Sequence, residues 1–130
     1  MRSEEDRRLN PWEISFRVNC KPLSINAAYF RKRGGDVVKT REYKVFEDAM
    51  EAALEDIQLE STEWMYDIKY KFGFARVTSD VDNPIKPTTD VLQNILGFND
   101  RQVYRITAEK YVGSGQWVDV TIKEYFKERT

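Results

Sequence analysis

Histidine is absent from this chain, cysteine occurs once, and no stretch approaches the roughly 20 consecutive apolar residues of a membrane helix. Cys20 alone can close neither an internal disulfide nor a four-cysteine zinc cluster, and without histidine the usual zinc ligand sets are missing. Serine and cysteine nucleophiles that depend on an imidazole base are excluded for the same reason. Chemistry on this chain must use carboxylates, lysine, tyrosine or a hard metal ion. A charge excess is lacking too, since 21 basic and 22 acidic residues leave a formal net charge of -1. Any hold on a polyanion must therefore come from a local basic segment. The opening residues MRSEEDRRLN have no apolar signal-peptide core, and the expected location is the cytoplasm.

What is present is a chain of 130 residues, 41% hydrophobic, enough for one modest core. Residues 1–10 are charged and aperiodic, which predicts a disordered tail before a single domain over 11–130. Trp12, Ile14, Phe16, Val18 and Cys20 alternate with polar residues, the period of a half-buried strand. Lys21 to Lys39 has no sustained period and reads as a long excursion or flap. Thr40 is a helix cap ahead of Phe46, Met50, Ala53, Leu54 and Ile57, whose spacing predicts a helix over 41–58.

Tyr66, Ile68, Tyr70, Phe72 and Phe74 alternate in a second strand and read as core rather than as base-stacking platforms. Trp12 and Trp117 read as core or dimer contacts. A second helix is expected with Asn83 as cap and Pro84 in the first turn, and with regular geometry beginning nearer Pro87; Val91, Leu92, Ile95 and Leu96 form its stripe and Gly97 ends it. Two closing strands, 102–112 and 116–125, are expected to form a hairpin through Gly113-Ser114-Gly115. The order is β-α-β-α-β-β, a mixed α/β (α+β) fold in which a mixed sheet is flanked by helices.

Asp80 and Asp82 stand two apart, so an extended chain after the second strand would project both carboxylates to one side, within reach of one cation. Asp100 could join them from the start of the next strand. Converging carboxylates repel one another, a cost that a divalent cation removes, and oxygen-only ligands favour magnesium or manganese. The same Asp-Val-Asp-Asn-Pro stretch can equally serve as a polar turn and helix cap. An EF-hand loop starting at Asp80 fails, because Ile85 falls where the glycine belongs and Val91 where the bidentate glutamate belongs.

The run from Asp80 to Leu92, with Asn83, Lys86, Pro87 and Asp90 inside it, followed by Asn99-Asp100-Arg101-Gln102-Val103, resembles the D-x-D-N-x-x-K-P-x-x-D-x-L and D-D-x-Q-[IV] signatures of the RusA-type Holliday junction resolvases. The resemblance spans about residues 12–125, and only loosely 21–58. It implies a homodimeric, magnesium-dependent endonuclease that cuts branched DNA, with Asp80, Asp82 and Asp100 as metal ligands and Lys86 as a catalytic cation near the scissile phosphate. One departure is Asn99, where relatives often carry an acid. Asn83 and Asp90 would orient the ligands from behind, although Asp90 can equally favour a helix N-terminus.

DNA contacts are expected from Lys21, Arg31, Lys32 and Arg33, within a segment where seven bases over 21–44 face only Asp36 and Glu42. An ordinary solvated loop is the alternative for those charges. Two other functions stay open: a metal nuclease for flaps or forks, and a non-catalytic DNA-binding module.

Overall fold

The computed structural model describes residues 2–128. A four-stranded sheet is built from β1 (Glu13–Val18), β4 (Tyr66–Phe74), β5 (Val103–Val112) and β6 (Trp117–Glu124), in the order β1-β6-β4-β5. Antiparallel registers run from Glu13↔Lys123 to Val18↔Val118 and from Tyr66↔Glu124 to Gly73↔Trp117, while β4 and β5 run parallel from Tyr66↔Val103 to Phe74↔Val112. The sheet is mixed.

Its two faces differ because side chains alternate along each strand. On one, Tyr66, Ile68, Tyr70 and Phe72 meet Val118, Val120 and Ile122 under two helices, α3 (Arg41–Ala53) and α4 (Ile85–Leu96). These contribute Tyr43, Phe46 and Met50, and Val91 and Leu92, all essentially buried. The other face carries Arg17, Lys69, Thr121 and Lys123 and is mostly polar, with Tyr111 packed on Trp117 at one end. No helix among the described residues is long and apolar enough to cross a membrane.

The closing strands do not form a hairpin. β4 lies between β5 and β6, so residues 113–116 cross over the end of β4, and β4 must bend away at Ala75. The turn glycines were a sound sign of a reversal but carry no information on which strand fills the space between. The close passage explains Gly73: a Cβ there would lie 2.5 Å from the Trp117 ring.

Other boundaries shift for local reasons. Residues 4–9, expected within a disordered tail, form helix α1 (Glu4–Leu9), capped by Ser3. It is fastened by a two-point ion pair from Arg7 to Glu124, with 2.6 Å to Nε, and Arg7 also lies 4.8 Å over the Trp64 ring. The excursion over 21–39 folds as α2 (Ile25–Ala28) and a separate hairpin, β2 (Tyr29–Arg31) with β3 (Val37–Lys39). Thr40 caps α3 as expected, but the helix closes at Ala53, where Leu54 N–H is shared between the carbonyls of Met50 and Glu51.

Helix α4 begins at Ile85, ahead of the expected Pro87 start. Pro87 sits in the first turn, where its missing N–H would have had no partner in any case. Asn83 is no side-chain cap; the cap position is Pro84, and Asn83 offers its carbonyl to Ile25 N–H at 3.0 Å. Gly97 ends the helix in the left-handed region at φ 86°, where glycine carries no steric penalty.

Candidate metal and nucleic-acid site

The segment from Ala75 to Pro84 carries the first two acids, and it is not extended. Ser79 N–H bonds the Arg76 carbonyl, and Ile85 N–H bonds the Asp82 carbonyl, so each acid follows or opens a turn. The two carboxylates therefore owe their relation to this loop and not to strand alternation. Lys110 of β5 holds the loop in place: its ammonium donates to the carbonyls of Val77 and Ser79 at 2.8 and 2.9 Å.

Two clefts meet at Asp80. One, of about 350 Å³, is bounded by Asp80 and Asp82 with Glu109 and Lys110. The other, about 450 Å³, continues past Asp80 to Lys21, Arg76, Asn83 and Gln116. Asp80 thus stands on the ridge between an acidic trough and a trough with two cationic walls. Both aspartates are exposed, so a cation or a phosphate can reach them without a rearrangement of the core.

Asp100 lies in a single 3-10 turn, residues Asp100–Gln102, ahead of β5. The Asn99 side chain accepts from Arg101 N–H at 3.0 Å, and Gln102 Oε1 accepts from Asn99 N–H at 2.8 Å, a reciprocal cap. Gln102 also donates to the carbonyls of Thr62 and Trp64, which pins the turn to the approach of β4. Asn99, the departure from the family pattern, serves here as an uncharged cap next to Asp100.

Lys86 reaches forward one turn along its helix to Asp90, with Nζ to Oδ1 at 3.0 Å. That bond, reinforced by the charges of Asp90 and Asp100, raises the Lys86 pKa, so the ammonium stays charged at neutral pH. Asp100 and the root of β2 at Tyr29 are both close enough to act on Lys86 electrostatically. Asp100 is thereby joined to the Lys86-Asp90 pair, while Asp80 and Asp82 share the trough against β5. Among the described residues no group of three acidic, cysteine or histidine side chains stands together closely enough to hold a metal. The donor chemistry fits a hard cation, and two of the three acids share a wall of the smaller cleft, which Asp100 does not line.

Of the expected DNA contacts, Lys21 lines the larger cleft beside Asp80. Arg31, Lys32 and Arg33 sit in the β2–β3 hairpin, border neither cleft, and are exposed; Arg31 is tied to the Gly35 carbonyl. Arg76, Gln116 and Lys110 were not singled out by sequence. Lys110 could have been found only with the parallel β4–β5 register, which sets it beside the loop that leaves β4.

The sequence model of a family described as endodeoxyribonuclease RusA matches residues 19–123. No curated protein matches the chain.

Proposed function

Because the chain belongs to the RusA endodeoxyribonuclease family, we propose that it is a homodimeric, magnesium-dependent resolvase of four-way DNA junctions, with residues 11–130 as the nuclease domain. The observation that carries the proposal is the position of Asp80, between a trough shared with Asp82 and a cleft lined by Lys21 and Arg76. A phosphodiester drawn into the cationic cleft arrives beside the acidic trough.

Asp80, Asp82 and Asp100 would hold the cation, magnesium or manganese. When bound, such an ion activates water and neutralises charge on phosphate oxygens. The chain's own residues do the rest. Lys86, held in direction by Asp90, keeps a positive charge beside the acids, available to the phosphate or the departing oxygen. Lys21 and Arg76 neutralise the flanking backbone, which answers the acidic balance of the whole chain. Asn83 supports through its backbone, joining the loop to α2. The hairpin bases Arg31, Lys32 and Arg33 are proposed to touch duplex arms farther from the cut. Such a nuclease works on cytoplasmic DNA.

Cleavage of a four-way junction by wild type and by Asp82→Asn in magnesium tests the reading, with linear duplex, flap and fork substrates alongside. Wild type should cut the junction in preference to the others, and Asp82→Asn should bind it without cutting, because less negative charge faces the phosphates. Equal cutting by the two proteins would overturn the assignment.

A further inference from the structure

β5 is an edge strand of ten residues with one neighbour among the described residues, β4. An outer row of backbone donors and acceptors without a strand partner is a template for pairing with another chain, unless charge, proline or a covering element blunts it. β5 has no proline and leaves large apolar side chains open on both faces: Tyr104 is 60% exposed, Ile106 40%, Tyr111 37% and Val112 44%. The opposite edge, β1, has six residues and shows no exposed large apolar side chain.

Resting on the homodimer reading above, we infer that the second copy docks along β5, antiparallel, with the two-fold axis passing through Thr107 and perpendicular to the sheet. Such an axis keeps the helices of both copies on one side and pairs only residues of the same face. Centred on Thr107, it sets Arg105 against Glu109 twice, Ile106 against Ala108, Val103 against Tyr111 and Tyr104 against Lys110. Opposite charges and apolar side chains in direct cross-strand pairs are the stabilising combinations. Moving the centre to Ile106 leaves Arg105 against Thr107 and Glu109 against Val103. Moving it to Ala108 leaves Arg105 against Tyr111 and Glu109 against Thr107. Only the Thr107 register satisfies both charges.

The charges are already prepared within each chain. Arg105 bonds Asp67 at 3.3 Å, and Lys69 lies 3.9 Å from Glu109. Joining two copies extends these into a row, Asp67-Arg105-Glu109-Lys69, repeated in the opposite direction across the axis. The loop carrying Asp80 and Asp82 borders Ala108 and Lys110 on the helix-bearing side. Both loops would then open on one surface of a continuous eight-stranded sheet, as two cuts in one junction require.

The test is oxidative cross-linking of Thr107→Cys in a Cys20→Ser background, with Ser15→Cys on β1 as the comparison and sedimentation of the wild type for mass. Residues facing each other across an antiparallel pair have Cα atoms about 4.5–5.5 Å apart, within reach of a disulfide. Expected are a two-subunit wild type and a covalent dimer from Thr107→Cys alone. A two-subunit protein cross-linked through Ser15→Cys, or through neither, would overturn the β5 interface and leave the dimer standing. A one-subunit mass at about 100 µM, well above a micromolar Kd, would overturn both, and junction cutting by that species would still uphold the nuclease.

Discussion

The Tyr70 hydroxyl lies 2.7 Å from Thr89 Oγ1 inside the core, and Thr89 gives its own hydrogen to the Ile85 carbonyl at 2.8 Å. Tyr70 is therefore the donor and Thr89 the relay. The bond fastens the start of α4, whose first two turns carry Lys86 and Asp90, to the central strand.

An asymmetry between two substitutions follows. Tyr70→Phe removes a donor and leaves Thr89 bonded to Ile85, at a cost of about 1 kcal/mol. Thr89→Val strands the buried tyrosine hydroxyl and should cost about 1–3 kcal/mol. Urea unfolding of the two variants checks the order; a Tyr70→Phe variant less stable than Thr89→Val would refute it.

Lys86 is 63% exposed at its side chain, so Lys86→Gln should leave the unfolding midpoint where it is. If its charge serves the phosphate, junction cleavage falls by roughly 10²–10³, the range for loss of one preorganised group. Single-turnover rates together with a melting curve measure both quantities. Unchanged cutting would reduce Lys86 to a helix-surface ion pair.

Gln102 makes one bond as acceptor and two as donor. Gln102→Glu keeps the first and loses both donations, placing a charge against the Thr62 and Trp64 carbonyls. It should destabilise the turn that carries Asp100 by about 1–3 kcal/mol and lower cleavage in parallel. Thermal unfolding with a cleavage assay tells whether the two losses travel together.

Much of this arrangement was legible beforehand. The alternation around Tyr70, the cap at Thr40 and the glycine stop at Gly97 are local features, and local chemistry decided them. Strand neighbours were not legible: β5 and β6 looked like a hairpin because the glycine-rich link is short, whereas tertiary packing admits β4 between them. The N-terminal helix was missed since its anchor, Glu124, lies at the far end of the chain. Among site residues, the motif spacing singles out Asp80, Asp82, Lys86 and Asp100, but it could not tell that the charge of Asp100 acts on Lys86 or that Lys110 steadies the loop.

Three core tyrosines give an alkaline limit. Burial pushes Tyr66 up to about 12 and raises Tyr43 and Tyr70 as well. A folded-state pKa above the unfolded value of about 10 means that the stabilising contribution is complete below pH 10 and lost as pH climbs toward 12. Absorbance at alkaline pH should show the three buried tyrosines ionising only together with unfolding. Full ionisation of all tyrosines in a still-folded protein would contradict it.

Gly73→Ala should cost about 1–3 kcal/mol by overpacking, because the added carbon meets the Trp117 ring at 2.5 Å. The double variant with Trp117→Leu should recover part of that loss in chemical denaturation. No recovery would mean that the backbone of residue 73, and not the indole, sets the limit.

The interior position of β4 also bears on biogenesis. Both of its hydrogen-bonded neighbours are encoded downstream, beginning at Val103 and ending at Glu124, so this largely buried strand leaves the ribosome before either strand can pair with it. Until synthesis is nearly complete, Tyr66 to Phe74 can shelter only beneath α3 and α4, with both hydrogen-bonding edges open. Such long-range closure slows folding and lengthens the interval in which the unpaired edges of β4 are open to aggregation.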